Sequence, residues 1–183
     1  MSEFSESFHF PNSELDTLHR KLKAAGMKGR LYGPSDNGWV SFVPYEHACP
    51  GHRLLAGPLT KFGGALSRIA GKPVLEYIYA EDHMWFACLW EKGEVAAHYS
   101  CDWEDGAPKI ESRHVERLRQ LPALNRMGVA DGLAAKISSE TLAEEEPRAY
   151  LFADGLGQPV YQWISAHYLS ADGSQRNDGG LEV

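Results

Sequence analysis

Residues 73–103 read PVLEYIYAEDHMWFACLWEKGEVAAHYSCDW. Residues 74–79 alternate and are rich in β-branched and aromatic side chains, residues 84–90 are nearly all apolar, and residues 94–101 alternate again. Alternation marks a strand with one buried face, and an unbroken apolar run marks a strand buried on both. The joints are Ala80-Glu81-Asp82-His83 and Glu91-Lys92-Gly93. The second is short, and its glycine can take the positive φ of a hairpin turn. The stretch is a three-stranded antiparallel meander with residues 84–90 in the middle.

Upstream, Phe8-His9-Phe10 suits a short edge strand after a frayed start. Leu15, Leu18, Leu22 and Ala25 recur at three- and four-residue steps, which predicts a helix over residues 13–25. Asn12 or Ser13 would cap its start, and Gly26 would end it in the left-handed region. Residues 28–32 and 39–43 flank a Gly-Pro-Ser-Asp-Asn-Gly loop and form a second hairpin. A second helix is expected over residues 58–70, with Pro58 in its first turn and Phe62, Leu66 and Ile69 on its apolar stripe. Gly63-Gly64 weakens that helix, and close approach to the sheet would explain the pair. After residue 103 helices are expected over 112–120, 130–137, 138–146 and 148–154, with a strand-like run at 160–164. The polar, glycine-rich tail 172–183 reads as disordered. The fold class is α+β: an antiparallel sheet around a central meander, helices on one face and a helical C-terminal part, with residues 1–171 as one domain.

The chain has 183 residues, 43% hydrophobic and 23% charged, enough for one domain with a real core. No apolar run approaches the roughly 20 residues of a membrane helix, and no basic region precedes an apolar one at the start, so no membrane association and a cytoplasmic location are expected. The formal net charge is −7, which disfavours nucleic acid and suits a basic partner. Three cysteines, Cys49, Cys88 and Cys101, make no even disulfide framework and read as small core residues.

His47, Cys49 and His52 share a loop and are candidate zinc ligands, with His98 or Cys101 to complete a tetrahedron. Their spacing matches no common zinc module, so no metal or other cofactor is expected. His98, Ser100 and Asp102 alternate on one strand and share a face. Residues two apart on a strand lie roughly 6–7 Å apart, too far for a catalytic relay, and no Gly-x-Ser-x-Gly elbow is present. Asp82-His83 suits a turn more than acid–base work.

Val74-Leu75-Glu76-Tyr77, Asp82-His83, Trp85, Leu89, Gly93, Val95 and Tyr99, together with Leu156-Gly157, Tyr161-Gln162-Trp163-Ile164-Ser165 and Tyr168-Leu169, form a pattern over about a third of the chain. It resembles small bacterial proteins of unknown function, some of which act as immunity partners of secreted toxins. The resemblance implies no catalytic residues. The expectation is a non-catalytic protein-binding protein that neutralises a basic toxin domain, with Asp82, His83, Trp85, Trp103, Glu104 and Asp105 as partner-binding residues. The alternatives are a hydrolase or metal-dependent enzyme using His47, His52, His98 or Asp82, and a small-ligand module with an aromatic pocket.

Overall fold

The computed structural model describes residues 4–35, 38–45, 61–80, 84–102, 109–119 and 180–183. In chain order the elements are β1 (Phe4–Pro11), α1 (Leu15–Ala24), β2 (Gly29–Tyr32), β3 (Trp39–Pro44), α2 (Lys61–Ala70) and β4 (Val74–Ala80). β5 (Met84–Glu91), β6 (Glu94–Asp102), β7 (Lys109–Arg113), α3 (Val115–Arg119) and β8 (Leu181–Glu182) complete them. The strands make one sheet in the order β7-β6-β5-β4-β1-β3-β2-β8, with each neighbouring pair antiparallel. The class is broadly α+β.

The meander is β4-β5-β6, with β5 in the middle as its apolar run predicts. Lys92 and Gly93 both have positive φ, 52° and 91°, the pair that lets a two-residue hairpin loop follow the twist of its strands. The 28–32/39–43 hairpin is β2-β3.

Four expectations are corrected. β1 is not an edge strand: it lies between β4 and β3, and Glu6, Ser7 and His9 are buried. α1 starts at Leu15 after Glu14 without a side-chain cap, and Ser13 Oγ donates instead to the Pro11 carbonyl at 3.3 Å. The helix expected over residues 112–120 is shorter at its start: residues 112–113 belong to β7, which pairs with β6, and 115–119 are helical. Finally, residues 181–182 of the tail form β8, because Leu181 and Val183 pack on the core cluster and their backbone pairs with β2. The helices and strand expected between residues 130 and 164 lie outside the described residues.

α1 and α2 cover one face of the sheet. Leu18 and Leu22 of α1 and Phe62 and Leu66 of α2 join Phe8, Phe42, Ile78 and Phe86 in one buried cluster. α1 closes on a left-handed Gly26 (φ 72°), with Gly26 N donating to Lys23 O and Met27 N to Leu22 O, each at 3.0 Å. Met27 and Leu22 are both buried in the cluster, so the cap and the apolar contact reinforce each other. α1 also secures α2: Lys21 Nζ donates to the Ala70 carbonyl at 2.6 Å, placing a cation at the negative end of that helix. Lys21→Met is expected to lower unfolding free energy by about 1 kcal/mol in urea melts, whereas Lys23→Met, without that bond, is expected to be nearly neutral.

The opposite face is buried too, and its chemistry differs. The two-residue strand period gives it Ser7 and His9 of β1, Ser41 of β3, Tyr77 and Tyr79 of β4, and Trp85 and Tyr99 of β5 and β6, each at most 4% exposed. Tyr77, Tyr79, Trp85 and Tyr99 of the meander go here, whereas Phe86 and Trp90 join the cluster under the helices.

Candidate functional site

Three places in the fold concentrate chemistry. The first is one end of the meander. Ala80 pairs with Met84, Met84 with Asp102 and Asp102 with Lys109, so four strands end or begin in one row. Segments 81–83 and 103–108 follow Ala80 and Asp102 of that row in the chain. Asp82, His83, Trp103, Glu104 and Asp105 belong to these segments and lie outside the described residues. Trp85 is described and is corrected: it is 2% exposed, on the aromatic face, with its ring centroid 4.7 Å from that of Tyr99. Its parity along β5 directs it inward, so it supports this end and offers no surface to a partner.

The second place is on β1 and β3. His9 and Ser41 are register partners, and His9 Nδ1 lies 2.7 Å from Ser41 Oγ while Nε2 lies 2.8 Å from Ser7 Oγ. A neutral imidazole satisfies both contacts, donating from one nitrogen and accepting at the other. Burial holds the ring in that form, pulling its pKa from 6.5 to about 3. The Trp39 ring stands edge-on to it at 6.5 Å. Ser–imidazole contact is the geometry that activates a nucleophile. Both serines are 0% exposed, however, so the arrangement acts as a bridge between strands.

The third place lies under α2. Glu76 is fully buried in β4, and Trp90 Nε1 donates to its Oε2 at 2.6 Å. Its Oε1 has no hydrogen-bond partner. Burial pushes the carboxyl up to about 8, the Trp90 bond works against this, and the charge of Glu6 adds to it. At neutral pH the side chain is therefore mostly a carboxylic acid. The same desolvation, and then Glu76, raise the buried Cys88 thiol, so that sulfur is an inert core group.

Neither His9 nor Glu76 stood out in the sequence, and the same signal would have found both: a polar residue in the middle of a strand. Glu76 is in phase with Val74 and Ile78, both core residues. His9 sits between Phe8 and Phe10, with Ser7 in phase on the other face.

His98, Ser100 and Asp102 do share a face, opposite Arg113, Glu111 and Lys109 of β7. His98 Nδ1 is buried without a hydrogen-bond partner. Burial lowers the His98 pKa, Glu111 raises it and Arg113 lowers it. The proposed zinc ligands His47, Cys49 and His52 lie outside the described residues. Their suggested completing ligands cannot act together, because His98 and Cys101 are on opposite faces of β6. Among the described residues no group of three or more metal-binding side chains occurs. No family model, curated protein or solved structure matches this chain. Among the described residues no helix is long and apolar enough to cross a membrane.

Proposed function

We propose that this chain is a non-catalytic protein-binding protein that docks a basic partner on the end of the meander. The row Ala80–Met84–Asp102–Lys109 carries the reading. Glu81 and Asp82 follow Ala80 by one and two residues, and Glu104 and Asp105 follow Asp102 by two and three. Three residues of chain span at most about 10 Å, so these carboxylates and Asp102 are tethered close to one row. Trp103 adds an aromatic side chain of the kind that anchors interfaces. The net charge of −7 has the matching sign for a basic partner. The sequence resemblance supplies the role: neutralisation of a secreted toxin by covering a basic working surface.

The test compares the unmodified chain with the triple reversal Asp82→Lys/Glu104→Lys/Asp105→Lys and with Glu94→Lys at the opposite end of the meander. Partners captured from the native lysate are identified, purified and titrated against each form. The unmodified chain and Glu94→Lys are expected to bind a basic protein alike, with the triple reversal weaker by about a hundredfold or more. Binding indifferent to the triple reversal would sink the reading.

A further inference from the structure

At the end of the sheet farthest from the meander, the chain covers the outer side of β2 with its own residues 180–183. Leu31 pairs with Leu181 and Arg30 with Glu182, and Val183 N donates to the Gly29 carbonyl at 2.9 Å. His19 Nε2 of α1 donates to the Glu182 carbonyl at 3.0 Å. Leu181 and Val183, two residues apart, both pack against the main core cluster. A Cβ at Gly180 would stand 2.6 Å from the Tyr32 ring, so that position admits glycine. Beneath β8, β2 therefore offers what a strand-recognition site offers: a row of backbone groups that pairs with an added strand, room for alternate aliphatic side chains, and a position that discriminates by size.

We propose that the β2 edge is a strand-accepting site for a segment of the form Gly-Leu-x-Val, and that it takes this segment from a second copy of the chain when its own is released. The occupant is argued from the seated segment itself, which shows that these four residues fit the edge in register. Arg30 opposite Glu182 favours one register, since opposite charges on paired strands attract. β8 is only two residues long. Its opening breaks two register pairs and uncovers the Leu181 and Val183 contacts, a local opening smaller than loss of any longer strand. Tethering keeps the chain's own segment at high local concentration, so exchange stays suppressed while that segment is intact. An uncovered β2 would be an open edge, the feature through which sheets join edge to edge.

The test uses the full chain carrying Leu181→Asp and Val183→Asp, which releases β8, and a labelled peptide of residues 176–183 (RNDGGLEV) standing for the second copy. Fluorescence anisotropy is expected to show saturable one-to-one binding to the released chain, at least about tenfold tighter than to the unmodified chain, whose edge is occupied. A peptide with Leu181→Asp or Gly180→Val is expected not to bind. A released chain that melts cooperatively yet binds the native peptide no better than the altered ones overturns the proposal. Should the double variant lose its cooperative melt, Gly180→Val in the full chain is the milder release, since it buries no charge and its Cβ meets the Tyr32 ring first. Loss of the melt there as well would make β8 part of the cooperative core and would equally overturn an exchangeable strand.

Discussion

The unfolding free energy of this protein is expected to be level between about pH 4.5 and about pH 6.5 and to fall on both sides of that window, because of two buried groups that are neutral for opposite reasons. His9 is held near 3 in the fold against 6.5 when unfolded. Below pH 6.5 the unfolded chain takes up a proton that the native chain refuses, and stability is lost as pH falls toward 3. Glu76 is held near 8 against 4.5 when unfolded. Its contribution is fully present below pH 4.5 and is lost as pH rises through 8, since the unfolded chain releases a proton that the native chain keeps. Each group alone gives a slope of about 1.4 kcal/mol per pH unit. Between 4.5 and 6.5 the two slopes have opposite sign and cancel. From 6.5 to 8 only Glu76 acts, and about 2 kcal/mol is lost; from 4.5 to 3 only His9 acts, with a loss of about the same size.

Urea unfolding at constant ionic strength, stepped from pH 3 to 9, measures this directly. Glu76→Gln keeps an acceptor for Trp90 and removes the titration. In that variant the alkaline fall is expected to vanish, while the middle window acquires an upward slope from His9. His9→Gln is expected to do the reverse, with stability falling steadily from 4.5 to 8. His98, which burial lowers in the same direction as His9, is common to all three chains and drops out of the comparison. An alkaline limb unchanged by Glu76→Gln would show that Glu76 is ionised in the native state.

The parts of the fold that were legible in the sequence are those whose burial follows an uncomplicated period. β4, β5 and β6 alternate or run apolar and are punctuated at Lys92-Gly93, and α1 and α2 carry clear three- and four-residue stripes. β1 was misread because Glu6, Ser7 and His9 look like a solvent-facing rim, whereas Ser7, His9 and Ser41 satisfy one another inside the protein. A hydrogen-bonded buried network is invisible when its members come from residues 7, 9 and 41 of the chain. β7 was misread because Lys109, Glu111, Ser112 and Arg113 are exposed; backbone pairing at an edge leaves no hydrophobic period to detect. β8 is hidden in the sequence by its glycine-rich approach, although Gly180 is the residue that fits against the Tyr32 ring. The candidate site was legible only as charge and register. Trp85 shows the limit: aromatic content predicts interfaces and cores equally well, and strand parity decides between them.

The Gly63-Gly64 pair weakens α2 locally, and the structure supplies a specific packing reason for it. A Cβ at Gly63 would meet the Trp90 indole around Nε1, and one at Gly64 would stand 2.7 Å from the Gly93 carbonyl oxygen. α2 is also fixed in height over the sheet: Ser67 Oγ donates to the Gly64 carbonyl at 2.8 Å and accepts from Gly93 N at 2.8 Å. The helix therefore cannot rise to admit a methyl group without breaking the turn between β5 and β6. The indole cannot move aside freely either, because its Nε1 is bonded to Glu76 and a displaced ring leaves a fully buried carboxyl without a donor. Gly63→Ala is thus expected to destabilise although alanine favours helix by about 1 kcal/mol. Overpacking costs about 1–3 kcal/mol and stranding the Glu76 bond about 1–3 more, so after the helix gain the net loss in urea melts is expected to be roughly 1–5 kcal/mol. Trp90→Phe removes the part of the ring that the methyl would strike. The two substitutions together are therefore expected to cost less than the sum of the singles by more than about 1 kcal/mol, as contacting residues do in a double-mutant cycle. Strict additivity, or a stabilising Gly63→Ala, would mean that α2 does not sit on Trp90 in solution. The alkaline limb offers an independent check on the same contact. With the Trp90 donor gone, the bond that favours ionised Glu76 is lost, so Trp90→Phe alone is expected to move the end of the alkaline fall to higher pH.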